Sequence, residues 1–134
     1  MTDENTLLDY DLGEDLDFEP APADTETQVK IERCSIKESK AGNNLQVILS
    51  IPDFPDADDV FYTVWLPQPE DEPKDAKRKK IALRKFYEAF DINYSGPVDY
   101  KEDLAGATSW AILSQDEYQG VVRNQIKSFV KPSK

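Results

Sequence analysis

The feature that most constrains the fold is one long helical stretch, residues 73–91, with strand-like runs on both sides of it. Three such runs precede the helix and two follow it. Five strands with a single helix between the third and the fourth predict a mostly β protein, built as a small barrel rather than a sandwich or a doubly wound sheet. The helix has an apolar stripe that should pack on the barrel; the stripe consists of Ala76, Leu83, Phe86, Tyr87 and Phe90.

The predicted strands alternate apolar and polar residues over 28–37, 45–51, 60–66, 108–114 and 121–130. In the first strand the apolar phase changes near Arg33, because Val29 and Ile31 share one phase and Cys34 and Ile36 share the other. Such a switch predicts a bulge, which lets one strand serve both halves of a small barrel. The Gly- and Asn-containing turn at 38–44 predicts that the first two strands form a hairpin.

The charge of the chain is unevenly distributed. There are 27 acidic and 16 basic residues, and the formal net charge is −11. Residues 1–28 hold ten of the acids and no Lys or Arg, so residues 29–134 are nearly neutral, with 17 acids and 16 bases. We predict that residues 1–28 are a disordered acidic tail and that residues 29–134 form one domain, because acid repulsion, two prolines and few branched apolar residues oppose a packed core.

The predicted tail also carries apolar residues between its acids, which is the composition of a docking segment for a partner. Two alternatives are a merely solubilising leader, and a segment that folds back onto a basic surface and competes with an anionic ligand. The apolar residues are Leu7, Leu8, Tyr10, Leu12, Leu16 and Phe18.

The composition argues against catalysis and against metal or cofactor binding. The chain lacks histidine, the commonest general base, and its one cysteine, Cys34, cannot form a thiolate zinc site or an intrachain disulfide. We expect Cys34 to be a small buried apolar residue. The carboxylates of residues 52–59 lack the spacing of an EF-hand loop. No signal peptide or spanning run is visible, so we expect a soluble, cytoplasmic protein without a membrane partner.

Two surfaces carry candidate binding residues. Phe61 and Trp65 fall on the side of the third strand away from the core, where aromatic side chains could stack on unpaired bases; the alternative is that the helix, the tail or a second subunit covers them. The first half of the helix is rich in Lys and Arg, which opposes the helix dipole and is easier to understand if the helix meets an anion.

The order of motifs resembles a family of small bacteriophage single-stranded-DNA-binding proteins with an oligonucleotide-binding (OB) fold. The resemblance covers residues 28–130 through SKAGNNLQVILSI, VFYTVWL, the helix, LAGATSWAIL and EYQGVVRNQIKSF. It includes the segment Leu104 to Gly106, and a Tyr118 and Gly120 turn that leads to Asn124. The better-known single-stranded-DNA-binding proteins carry their acidic segment at the C-terminus, whereas here it is N-terminal.

The resemblance implies a five-stranded OB-like barrel that binds single-stranded DNA, or RNA, without sequence specificity and without catalysis. Such a protein would act in phage DNA replication or recombination in the host cytoplasm, recruit replication or recombination proteins through residues 1–28, and could be a homo-oligomer. The candidate stacking residues are Phe61, Trp65 and Trp110. The candidate phosphate contacts are Lys37, Lys40, Arg78, Lys80, Arg84, Arg123 and Lys127.

The alternative function is that of an OB-like adaptor or inhibitor that acts on a basic partner through its acidic N-terminal tail. The near-neutral domain favours this alternative, since most nucleic-acid-binding domains are clearly basic.

Overall fold

The computed structural model describes residues 6–13 and 17–130; the tail residue Leu16 lies outside them. The elements follow in the order β1 (Glu26–Ser39), β2 (Gly42–Ser50), β3 (Val60–Trp65), α1 (Pro73–Ala89), β4 (Thr108–Tyr118) and β5 (Val121–Val130). The prediction of a mostly β protein with one helix between the third and fourth strands is confirmed. Within the described residues, no helix has the length and apolar character needed to cross a bilayer.

The five strands form one antiparallel sheet in the order β3-β2-β1-β4-β5. The sheet curls until its two outer strands approach each other, and the Tyr62 and Phe129 rings meet edge to face with centroids 5.1 Å apart. Backbone pairing between β3 and β5 is absent from the described part of the chain, so the sheet does not close. This arrangement is a partly open OB-like barrel, as predicted.

The predicted bulge in β1 is present. Ile31 pairs with Leu49 of β2, but the next pair is Arg33 with Ile48, so Glu32 is the extra residue. Before the bulge, β1 pairs with β4 through residues 26–30, and from Lys30 onward it pairs with β2. The bend therefore allows one strand to belong to both halves of the barrel.

Helix α1 covers the open side of the barrel by its apolar stripe. Phe86 is only 2% exposed. Between ring centroids, Phe86 lies 6.0 Å from Tyr62 on β3 and 6.3 Å from Phe129 on β5. It lies 5.1 Å from Phe90, the residue directly after the helix. The helix thus joins the two unpaired edges of the sheet through one aromatic cluster.

The hairpin of β4 and β5 is longer than predicted. The predicted turn at 115–120 is only two residues, because Gln119 and Gly120 have φ angles of 53° and 80°. Two successive positive φ angles are typical of the tight turn that best matches the twist of a β-hairpin. The fourth strand consequently continues to Tyr118.

The structure differs from the predicted boundary of the N-terminal tail at residue 28. Ala21 is 0% exposed and belongs to the core, and β1 already begins at Glu26. The side chain of Asn124 holds Ala21 in place: the Ala21 N–H donates to Oδ1 at 2.9 Å, and Nδ2 donates to the Ala21 carbonyl at 2.9 Å. The Gln115 side chain donates a further bond to that carbonyl at 2.7 Å.

The same segment is also fixed on either side of Ala21. The Glu19 N–H donates to the Asp56 carbonyl at 2.8 Å, and the Asp24 N–H donates to the Leu113 carbonyl at 2.7 Å. Residues 19–25 therefore cross one end of the barrel and are part of the domain. We name these residues the anchored segment.

Candidate nucleic-acid interface

Strand pairing places nine residues on the side of β1, β2 and β3 that faces away from the core; eight are at least partly exposed, and Asn44 is only 4% exposed. Directly paired residues of an antiparallel sheet point to the same face. We name this surface the outer face. Its three rows are Arg33–Ile48–Phe61, Ser35–Gln46–Thr63 and Lys37–Asn44–Trp65.

The two aromatic residues of the outer face are exposed, as predicted. Phe61 is 61% and Trp65 is 43% exposed, while Val60 before them and Val64 between them point into the core. Four residues along a strand separate the two rings by about 13 Å. Their place on the surface is confirmed, and their role in stacking stays a prediction.

Two cations share the outer face with these aromatics. Lys37, a predicted phosphate contact, lies in the row of Trp65. Arg33, which is not among the predicted phosphate contacts, lies in the row of Phe61. The side of the sheet on which Arg33 lies depends on whether the extra residue of the bulge comes before or after Arg33. Only the strand register decides this. Lys40 lies in the β1–β2 turn, directly after β1 ends at Ser39.

Arg78 approaches the outer face from the helix. A cleft of about 400 Å³ separates α1 from β3, and both Trp65 and Arg78 line it. Arg78 Nη1 lies 3.7 Å from Asp75 Oδ1, but both side chains are more than half exposed, so this pair is weak and leaves Arg78 able to meet a phosphate.

The neighbouring cation, Lys79, is held more firmly. Its Nζ lies 2.9 Å from Asp71 Oδ2, and both side chains are mostly shielded from solvent. The backbone N–H of Gln68 donates to the same carboxylate at 2.8 Å. That hydrogen bond, followed by the bond from Lys79, lowers the pKa of Asp71. Lys79 therefore holds the loop before the helix in place through Asp71.

Lys80 and Arg84 do not join Arg78. A helix turns about 100° per residue, so the two side chains lie roughly 200° and 240° from Arg78 around the axis. The hydrogen bond to Glu88 raises the pKa of Tyr94, and the charge of Arg84 partly opposes that shift. The basic residues of α1 are thus distributed over two flanks of the helix, and phosphate contact by Lys80 and Arg84 stays a prediction.

Trp110 also lies away from the other two candidate stacking residues. It points outward from β4, half-buried, and pairs with Gln28 of β1. Gln28 and Lys37 are nine residues apart on β1, which corresponds to about 30 Å of strand. The structure therefore does not bring Trp110 to the Phe61 and Trp65 surface.

The two predicted phosphate contacts on β5 lie near acids of the N-terminal region. Lys127 Nζ lies 3.0 Å from Asp24 Oδ1 in the anchored segment. Arg123 lines a cavity together with Asp17, Phe18 and Asp58. Strand β5 is at the opposite edge of the sheet from β3. This part of the acidic region thus lies beside basic residues, the arrangement expected if it competes with an anionic ligand.

Cys34 is half-buried on β1. Burial raises the pKa of the Cys34 thiol to about 11. Within the described residues, no cluster of three or more His, Cys, Asp or Glu side chains is arranged to hold a metal ion.

We expect alkylation of Cys34 to be slow in the folded protein. Only the thiolate reacts, and the raised pKa reduces its population near pH 8 about hundredfold relative to an ordinary thiol. The rate should keep rising with pH up to about 11, whereas protein unfolded in urea should level off near pH 9. Mass-spectrometric rates of iodoacetamide labelling measure this; equal rates in folded and unfolded protein would contradict the burial of the thiol.

The fold and its surface define the class of this chain: a partly open OB-like barrel with an exposed aromatic and basic outer face. A scan against protein-family models and a search of curated proteins find no match to it. The resemblance to phage single-stranded-DNA-binding proteins therefore remains a prediction from the motifs.

Proposed function

We propose that this protein binds single-stranded DNA without sequence specificity, on the outer face of β1, β2 and β3. The observation that carries the proposal is the exposure of Phe61 and Trp65 on the same face as Arg33 and Lys37. Aromatic side chains stack on any base, and nearby cations contact the phosphates, so such a surface binds a strand irrespective of its sequence. In OB folds the strand 2 and 3 surface is the one used for oligonucleotides.

The charges around the two aromatics support a defined placement of the strand. Arg33 and Lys37 flank them on the β1 side, and Arg78 flanks Trp65 on the helix side. Bases resting on Phe61 and Trp65 would therefore have cations within reach on both sides. Binding and protection of the strand need no chemical step, and we propose a role in DNA replication or recombination, in a phage-infected host cytoplasm.

The test is a fluorescence-anisotropy titration of a labelled single-stranded oligonucleotide with the full chain at two salt concentrations. Salt-sensitive binding that is similar for different base sequences is the expected result. A duplex of the same length serves as the control, since its stacked bases are not available to Phe61 and Trp65. Binding that is equal for the duplex, or absent at low salt, would contradict the proposal.

Arg33 and Lys37 should each contact about one phosphate of the bound strand. Replacing either by alanine should weaken binding at low salt and reduce the slope of log affinity against log salt by about 0.7, the value for one contact to a single strand. Lys80→Ala is the matched control, because it removes the same charge from the flank of α1 that faces away from the outer face. Slopes that are unchanged by Arg33→Ala and Lys37→Ala, or lowered equally by Lys80→Ala, would exclude this assignment.

A second function has its own supporting observation. Leu7, Leu8, Tyr10 and Leu12 are exposed among acidic residues, and the domain that carries them is nearly neutral. These properties suit an adaptor or inhibitor that engages a basic partner protein through its N-terminal region. The titration separates the two functions, since an adaptor of this kind would not bind the oligonucleotide.

A further inference from the structure

A groove runs along the side of the barrel where β3 and β5 fail to pair. Its volume is about 380 Å³, and it lies between α1 and β5. Tyr62, Phe86 and Phe129 form its apolar floor, and Lys85 and Lys127 line it from the helix and the strand. We name it the seam groove. Both β3 and β5 are edge strands of the described sheet, so unpaired backbone groups border the opening.

Two lysines and one glutamate line the seam groove. Lys127 is 3.0 Å from Asp24 of the anchored segment. Lys85 is exposed and forms no ion pair with any residue that the structure describes. Glu88 also lines the groove, and its carboxylate accepts a hydrogen bond from the Tyr94 hydroxyl at 3.1 Å. A ligand for this groove would therefore be extended and apolar on one side, with negative charge near Lys85.

Residues 7–12 of this chain have that chemistry. Leu7, Leu8, Tyr10 and Leu12 are 73–84% exposed, so they do not occupy the groove of their own chain. In an extended conformation Leu8, Tyr10 and Leu12 share one face, and Asp9 and Asp11 share the other. Placed along the β5 edge, such a segment would direct its apolar side chains to the floor and its carboxylates towards the rim.

We propose that residues 7–12 of one copy bind the seam groove of a second copy. The segment would bind as an extended peptide that adds a strand to the open edge of the sheet. Its backbone would supply affinity, and its side chains in the groove would supply specificity. Each copy gives one segment and offers one groove, so a copy that engages two different neighbours makes head-to-tail contacts that extend into an open chain of subunits. The outer face is left free, which suits side-by-side association on a nucleic-acid strand.

The first experiment is sedimentation velocity of the full chain without nucleic acid, at protein concentrations up to about 1 mM, the weak end of specific association. Association that grows with concentration and weakens with salt is expected. Lys85→Glu should weaken it at least about tenfold, a change of about 1.4 kcal/mol. Lys77→Glu is the matched control, because it makes the same charge change on the same helix outside the groove lining.

The second experiment is a charge exchange between the two partners. A variant with Asp9→Lys and Asp11→Lys should also lose association, since its segment would then meet Lys85. Mixing this variant with Lys85→Glu should restore association, because the basic segment of one meets the acidic groove of the other. A purely structural effect of either substitution could not be rescued by mixing.

Three results would overturn the proposal: no association of the full chain at any concentration, equal association of Lys85→Glu and Lys77→Glu, or no recovery on mixing. Because these measurements contain no nucleic acid, they are independent of the proposed binding to single strands. Loss of oligonucleotide binding with intact self-association would contradict only the function, and the reverse would contradict only the seam groove.

Discussion

Replacing both Phe61 and Trp65 by alanine should weaken binding of a single-stranded oligonucleotide at least about thirtyfold. Each stacked base is worth about 1–3 kcal/mol by alanine substitution, and each 1.4 kcal/mol is tenfold in affinity. Both side chains are exposed in the folded protein, so their removal has little packing to destroy. The measurement is the anisotropy titration at low salt, with each single variant beside the double variant.

The matched control for Trp65→Ala is Tyr94→Ala. Tyr94 is also 43% exposed, but it lies against α1, stacked on Tyr87 and away from the outer face. Its removal should leave affinity within about twofold. An unchanged affinity for the double variant would refute the stacking surface. A large fall in the urea midpoint of unfolding for Trp65→Ala would instead show that this ring is part of the packing of β3.

Replacing Phe86 by alanine should destabilise the domain by about 3–5 kcal/mol, the usual cost of removing a fully buried aromatic ring. The barrel is particularly dependent on this residue, because its two outer strands are joined by side chains rather than by backbone hydrogen bonds. Since small domains are stable by only about 5–15 kcal/mol, the loss should be visible as a large fall in the urea midpoint.

The urea midpoint of Phe86→Ala is compared with those of two control variants. Phe61→Ala makes the same truncation at a position that is 61% exposed and should cost well under 1 kcal/mol, as surface substitutions usually do. Phe86→Leu keeps an apolar side chain in the site and should recover a substantial part of the loss, because less cavity remains. A midpoint for Phe86→Ala close to that of Phe61→Ala would mean that α1 does not hold the barrel together.

The regular elements were predictable because their signals are local. Alternation of apolar residues gave the five strands, the stripe that includes Phe86 gave the helix, and the phase change near Arg33 gave the bulge. The length of the β4–β5 hairpin was not predicted, because a two-residue turn with Gln119 at positive φ resembles a longer polar loop in sequence.

The surface was harder to predict because it depends on partners that are distant in the chain. The boundary of the N-terminal tail was placed too late because Asn124, 103 residues away, supplies hydrogen bonds to the backbone of Ala21. Lys80, Arg84 and Trp110 have the right chemistry for a single strand, but only the packing of α1 and the pairing of β4 decide which way they point. Composition identified cations and rings without indicating which of them share a surface.

The side chain of Asn124 bonds the peptide backbone of Ala21. At position 21 itself the side chain matters only because the buried site needs a small residue. The hydrogen bonds that hold Ala21 on the barrel therefore do not depend on which side chains the region before residue 19 carries. Acids could be added to that region or removed from it by mutation without repacking the core. If the N-terminal region binds a partner as proposed, changes confined to the first residues would alter that partner and leave the surface formed by β1, β2 and β3 unchanged.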